Sequence, residues 1–144
     1  MRLHILAIGR DKAAEDALVD EYRRRIRWPL HLTLLPASQP DLEAQKLLAA
    51  TPAGAYKILL DETGKSFTSR QFAASLQALR ERALGDVVFF IGGADGAGAA
   101  LRAAADNSWC FGTLTWPHRL VRVMLLEQLY RAQQILAGHP YHRD

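Results

Sequence analysis

The sequence predicts an α/β domain with a mainly parallel β-sheet flanked by helices. Three observations carry that expectation. Short apolar runs alternate along the whole chain with segments of helical apolar spacing, the pattern of strand-helix-strand units. Residues 87–91 are apolar at every position, as a strand covered on both faces requires. Residues 120–136 read as a long helix with apolar residues on nearly every side, which needs cover all round, from its own sheet and from a second copy of the chain.

Each element has its own signal. Residues 3–8 form a first strand that ends at Gly9. Asp11 or Lys12 then opens a helix to about Arg25, with Leu18, Tyr22 and Ile26 at i, i+4 and i+8 as its core face. Leu30, Leu32 and Leu34 alternate with His31 and Thr33 in a second strand stopped by Pro36. Pro40 starts a short helix through Ala50, broken over residues 51–54, and residues 56–60 form a third strand closed by Asp61. Thr68 is an N-cap, with Gln71 three residues on and Phe67 and Phe72 in the staple positions; Phe72, Leu76, Leu79 and Ala83 make the core face of the helix it starts. Residues 86–91 give a fourth, buried strand, 99–105 a small helix and 109–114 a fifth strand. Gly138 is a suitable C′ residue for the last helix. No internal repeat is present.

At 144 residues, with 49% hydrophobic and 23% charged positions, residues 1–144 read as one globular domain without linker or low-complexity segments. The net charge of +3 and a pI near 9.3 favour a polyanionic partner without establishing one. Cys110 is the only cysteine, so no disulfide closes within the chain, and a reducing compartment fits. His4 and Gly9 interrupt the opening apolar run too early for a signal peptide, and no run reaches membrane-spanning length. The expectation is a soluble cytoplasmic protein with no membrane partner.

Ligands of such sheets sit outside the carboxyl ends of strands, which makes residues 60–64, 92–98 and 113–118 the candidates. The glycine-rich run 92–98 follows a strand and precedes a helix, where free amides receive an anion or a nucleotide edge. Its spacing is not that of a dinucleotide fingerprint, and it lacks the Gly-Lys-Ser/Thr ending of a P-loop, so its bland reading is a flexible turn. The segment 111–117 offers backbone beside apolar cover, suited to an aromatic base, and Gly112 within it marks either a close approach or a bulge. Arg23, Arg24, Arg25 and Arg27 with Trp28 form a candidate phosphate-binding edge, or else a solvated helix end complementing the macrodipole. Glu127 and Arg131 have the spacing of a helix salt bridge. His118, His139 and His142 invite a metal reading, but Pro140 prevents a regular helix and no cysteine lies near, so no metal is expected. The tail from His139 to Asp144 mixes imidazole, phenol and cation, groups that suit a phosphate and an unstacked base.

Four motifs taken together, Gly92-Gly93-x-x-Gly96, Thr115-x-Pro117-His118-x-Leu120-Val121-Arg122-Val123, Glu127-x-Leu129-Tyr130-Arg131-Ala132 and His139-Pro140-Tyr141-His142-Arg143, resemble the ribosomal RNA large subunit methyltransferase H family along essentially the whole chain. The resemblance implies a SPOUT-class fold with a C-terminal trefoil knot and a homodimer. It also implies S-adenosylmethionine-dependent methylation of N3 of a pseudouridine in helix 69 of 23S rRNA, on the assembled ribosome. Carried onto this chain, it places cofactor contacts at Leu60, Gly92, Phe111, Gly112, Thr113, Leu114, Thr115 and Trp116. On that basis Tyr141, His142 and Arg143 of one subunit are expected to position the base over the cofactor of the other, with Arg143 on a phosphate, while Arg10, Lys12 and Arg23, Arg24, Arg25 and Arg27 are candidates for the RNA-binding surface from their charge. The chain departs from the family's pattern at Ala94, Asp95 and Trp116, where proline, glutamate and leucine are usual. Two other classes stay open: a non-catalytic ribosome-associated RNA-binding factor, which would not bind S-adenosylmethionine, and a nucleotide-dependent oxidoreductase, which would bind NAD.

Overall fold

Side chains alternate along a strand, and in the central strands of this protein the two sets enter two separate cores. The computed structural model describes residues 1–10 and 12–144. Its strands are β1 (Arg2–Ile8), β2 (Leu30–Leu35), β3 (Tyr56–Ser66), β4 (Asp86–Ile91) and β5 (Asn107–Cys110). Its helices are α1 (Asp16–Arg25), α2 (Pro40–Ala49), α3 (Ser69–Glu81), α4 (Ala99–Ala104) and α5 (His118–Leu136). The sheet runs β2-β1-β4-β3-β5 and every pairing in it is parallel. Leu3 and Ile5 of β1 with Val87 and Phe89 of β4 face α1, α3 and α5. Leu6 and Ile8 with Val88 and Phe90 face α2 and α4. The expected α/β layering is thus the observed one, and β4 is buried on both faces.

β5 is short and is held mainly by its tryptophan. The Trp109 ring meets Phe67, Phe72 and Phe89 edge-on, with centroids 5.1, 5.5 and 5.8 Å away. Phe67 and Phe72 are the staple residues of α3, whose Thr68 accepts from the Gln71 amide at 3.1 Å while Gln71 Oε1 accepts from the Thr68 amide at 2.9 Å. One capping device therefore both starts α3 and anchors the edge strand.

β3 behaves differently from the expectation that Asp61 closes it. It pairs with β4 through Leu60, leaves it, and continues to Ser66, where Lys65 and Ser66 pair again with Trp109 and Cys110 after a register break. Gly64 makes this possible: a Cβ there would lie 2.6 Å from the Ser108 carbonyl carbon, so only a glycine lets the two backbones approach so closely.

The fifth strand covers Asn107–Cys110, not residues 109–114. Gly112 turns to φ 122°, a left-handed conformation that ends the extended path, so residues 111–116 form a loop. The first helix begins at Asp16, whose carboxylate accepts from the Ala13 amide at 3.1 Å, so Lys12 lies ahead of it; Asp11 is outside the described residues. Val19 and Ile26 are the buried positions of that helical face, whereas Leu18 is 50% exposed. Ala83 lies past the end of α3 with φ 56° and is exposed, so it is not part of the core face.

α5 packs on α1 and α3, burying Leu125, Leu126, Leu129 and Ala132, while Leu120 stays exposed and Val123 and Met124 half-covered. The cover on all sides expected for this helix is not supplied by the one chain. Buried Gln133 ties it to the end of α1 by accepting from the Arg27 amide at 2.6 Å. Gly138 at φ 73° closes it with a Schellman pair, the His139 amide donating to Gln134 O at 2.9 Å and the Gly138 amide to Ile135 O at 3.1 Å. Among the described residues no helix is long and apolar enough to cross a membrane.

Truncating Phe89 removes a fully buried ring from both β4 and the Trp109 cluster. Phe89→Ala is expected to cost about 3–5 kcal/mol of stability, read from urea unfolding followed by tryptophan fluorescence.

Candidate active site

β4, β3 and β5 lie side by side, and beyond the carboxyl ends of β4 and β5, beside the middle of β3, is a cavity of about 370 Å³. Its apolar walls include Leu60, Ile91 and Val121. The glycine-rich turn after β4 forms one side: the Gly96 amide donates to Gly93 O at 3.0 Å, and a Cβ on Gly92 would lie 3.1 Å from Gly96 O, so this backbone is folded tightly on itself. The loop after β5 forms the opposite side through Phe111, Gly112, Leu114, Thr115 and Trp116. Of the cofactor-contact residues expected there, all but Thr113 line this one space, and Thr113 is exposed on the same loop.

Charged groups line the mouth. Asp61 receives both ends of the Arg102 guanidinium, at 2.7 and 3.0 Å. Burial opposes ionisation of Asp61, and Arg102 and Thr63 overcome that effect, so its carboxyl lies below the usual range. Thr115 donates to Glu62 at 2.7 Å, joining the extension of β3 to the loop after β5, and Asp95 also lines the cavity. The inner end holds His118, lowered from its ordinary value by burial and then by Arg119 and Arg122. Behind it the buried Arg122 donates to Ile8 O at 3.1 Å and Gly9 O at 2.9 Å, fixing the end of β1 to α5. The window 60–64 nominated from sequence contains Asp61 and Glu62, but spacing could not mark Arg102, whose pairing with Asp61 joins elements distant in the chain.

Tyr141, His142 and Arg143 do not line this cavity. The tail instead folds back on its own α5. Glu127 Oε1 accepts from Arg131 Nε at 3.0 Å and Nη2 at 2.6 Å and from the Tyr141 hydroxyl at 3.0 Å, while Gln128 donates to Oε2 at 2.9 Å. Burial and then that contact with Glu127 push the Tyr141 hydroxyl up to about 12. Arg131 also stacks on the Tyr141 ring at 4.9 Å and reaches His142 Nδ1 at 3.1 Å. His142 Nε2 meets Asp144 at 2.9 Å, and Arg70 of α3 holds the same carboxylate at 2.8 Å. The helix ion pair read from sequence is real, and it is the centre of a larger network. Arg143 is exposed.

A second groove of about 400 Å³ adjoins the cavity; Tyr22, Phe72, Met124 and Glu127 line it, and the two share Phe111. The basic cluster, far from the tail in sequence, is close to it in space: Arg25 lies over Tyr22 and Tyr130, at 5.7 and 5.8 Å, and Tyr130 packs edge-on against Tyr141 at 4.7 Å. Arg23, Arg24 and Arg25 are exposed, with Arg24 and Arg25 sharing Glu21. Among the described residues no group of three or more His, Cys, Asp and Glu is placed to hold a metal ion.

Residues 1–142 match the family described as "Predicted SPOUT methyltransferase". The chain is 49% identical to the ribosomal RNA large subunit methyltransferase H of Rhodospirillum centenum over 152 aligned positions, covering 99% of each. It is 46% identical to the protein of that name from Hyphomonas neptunium, again with 99% of each chain covered. Among solved structures, the SpoU methyltransferase AviRb from Streptomyces viridochromogenes has the same fold, with a TM-score of 0.52 at 12% identity; the alignment covers 96% of this chain and 61% of that longer one. The chain belongs to the SPOUT methyltransferase family and, within it, to the ribosomal RNA large subunit methyltransferase H proteins.

Proposed function

We propose that residues 1–144 act as one catalytic domain that methylates N3 of a pseudouridine in helix 69 of 23S rRNA, on the assembled ribosome, with S-adenosylmethionine as methyl donor. The observation that carries this reading is one cavity shared by the three neighbouring strands β4, β3 and β5 and lined by the loop around Gly112. The residues present fit that donor. Apolar walls and folded backbone suit an adenine ring, and the carboxylates of Glu62 and Asp95 suit a cation. Bound there, S-adenosylmethionine would supply an electrophilic methyl carbon, its transfer releasing the N3 proton and leaving sulfur as a neutral thioether.

In this reading the protein's contribution is alignment and charge, which in such in-line displacements supplies much of the rate. Leu60, Gly92 and the 111–116 loop hold the donor. Tyr141, His142 and Arg143 hold the base, with Arg143 on a phosphate or on the uridine oxygens where negative charge develops. Because those residues do not line the cavity of their own chain, the reading takes a homodimer in which each tail serves the partner's cavity. The exposed edge of Arg23, Arg24 and Arg25 beside Tyr130 extends the tail toward the RNA backbone. The trefoil knot belongs to the same reading. The cytoplasm, where ribosomes assemble, is the proposed location.

The direct experiment is transfer of a radiolabelled methyl group to intact ribosomes lacking the modification, with free 23S rRNA as control. Labelling of the ribosomes is expected, and a protein that binds ribosomes without labelling them is a binding factor instead. Gly112→Val places a β-branched residue at φ 122° and is expected to weaken S-adenosylmethionine binding about tenfold or more by calorimetry. Arg143→Ala should keep that affinity and lose methylation by about a hundredfold. Mixing these two inactive variants tests the shared site: random exchange leaves about a quarter of the sites with both halves intact, and activity should return to that level. Replacing Arg23, Arg24 and Arg25 by glutamate should weaken ribosome binding more at low salt than at high, measured by co-sedimentation.

A further inference from the structure

The tail network fixes more than the place of the imidazole; it fixes which ring nitrogen carries the proton. We propose that Arg131 holds His142 in the tautomer protonated on Nε2, so that His142 serves methylation as a hydrogen-bond donor to a carbonyl oxygen of the target base and not as the acceptor of its N3 proton. This rests on the assignment of the tail to the base made above.

A guanidinium has only donors, so the nitrogen 3.1 Å from Arg131 Nη1 presents a lone pair, and Nδ1 carries no hydrogen. A carboxylate has only acceptors, so the nitrogen 2.9 Å from Asp144 Oδ1 donates, and Nε2 carries the hydrogen. Arg70, bonded to the same carboxylate, lowers the Asp144 value and keeps it ionised. The two constraints act on opposite edges of the ring and agree. They differ in permanence. Arg131 is anchored by two bonds to Glu127 and by the face of Tyr141, and the His142 side chain is only 12% exposed, whereas Asp144 is 68% exposed at the end of the chain. The Asp144 oxygen is therefore the contact a substrate displaces, and a carbonyl oxygen of the base takes the place it vacates.

Neither Glu127 nor Tyr141 is free to take the N3 proton. Glu127 accepts three hydrogen bonds on one oxygen and a fourth on the other, and protonating it would leave the Arg131 guanidinium half-buried without its counter-charge. Tyr141 donates its proton to Glu127 and keeps it. In this scheme the N3 proton passes to water, while Nε2–H steadies the negative charge that its departure leaves on the ring oxygens. Arg131 is a positioning residue in this scheme.

The test begins without substrate, so its outcome stands apart from the choice of RNA target. Two-bond nitrogen-proton correlations of the full chain with labelled histidine, assigned by comparison with His142→Gln, report the state of each ring nitrogen. His142 should show Nε2 protonated and Nδ1 bare, in the native chain and in Asp144→Ala; Arg131→Gln combined with Asp144→Ala should show both tautomers. An imidazolium or Nδ1–H form in the native chain, or loss of the preference in Asp144→Ala alone, overturns the proposal. The second arm is methyl transfer. Gln at position 142 can still donate but cannot act as a base, so His142→Gln should stay within about tenfold of the native rate while His142→Leu falls about a hundredfold. Equal losses of about a hundredfold or more in both variants are the mark of a general base and overturn it.

Discussion

Gly64 lets the far end of β3 lie directly on the backbone of β5, and the form of the cavity follows from that contact. β3 leaves β4 after Leu60 and would fray into solvent if it had nothing to rejoin. By pairing again with β5 at Lys65 and Ser66 it makes a bridge whose middle, Asp61 and Glu62, is held away from the sheet. That middle becomes a wall of the cavity, tied down by Arg102 on one side and Thr115 on the other. A side chain at Gly64 would push the bridge outward from Ser108 and loosen both ties at once. The aromatic cluster around Trp109 works to the same end from the opposite face, because a four-residue edge strand has too few hydrogen bonds to resist that strain alone.

The layered α/β architecture was legible because it is written in local periods. β4 is apolar at consecutive positions since helices cover both its faces, and the Thr68 capping box is a signal contained in four residues. Gly138 likewise announces the Schellman turn that launches the tail. What failed was where long-range geometry overrides local pattern. Residues 111–114 look like a continuation of β5, but the sheet has no partner strand beyond Cys110, and Gly112 takes the chain away into a loop. Leu18 has helical spacing with Tyr22, yet the face it shares opens onto the second groove, so Val19 is buried in its place. The three strand ends could be nominated from sequence because parallel sheets put their ligands there; the pairing of Asp61 with Arg102 could not, since the two meet only after β3 bends.

Tail and patch show the same division. Residues 139–144 could be singled out by composition, and the arginines of α1 by density, but nothing in the sequence places them together. Tyr130 does so, lying between Arg25 and Tyr141. A salt bridge at i, i+4 is worth little on an open helix face. Here the same Glu127 and Arg131 are three-quarters or more buried and receive Tyr141 and His142 as well, so the pair acts as a frame for the tail.

That frame bears on how the cavity and a tail that does not line it can belong to one reaction. If the tail served its own chain, it would have to leave α5, releasing Tyr141 from Glu127, His142 from Arg131 and Asp144 from Arg70, and undoing the Schellman turn that sets its direction. Releasing Tyr141 and His142 would leave partly buried polar groups without a replacement partner, whereas the exposed pair of Asp144 and Arg70 adds little to that cost. A second copy needs none of these breaks. It would bring its cavity to a tail already formed, and could at the same time cover Leu18 and Leu120, two of the apolar side chains that a single chain leaves exposed. The homodimer proposed for the reaction is in this sense the arrangement that keeps Tyr141 on Glu127 and His142 on Arg131.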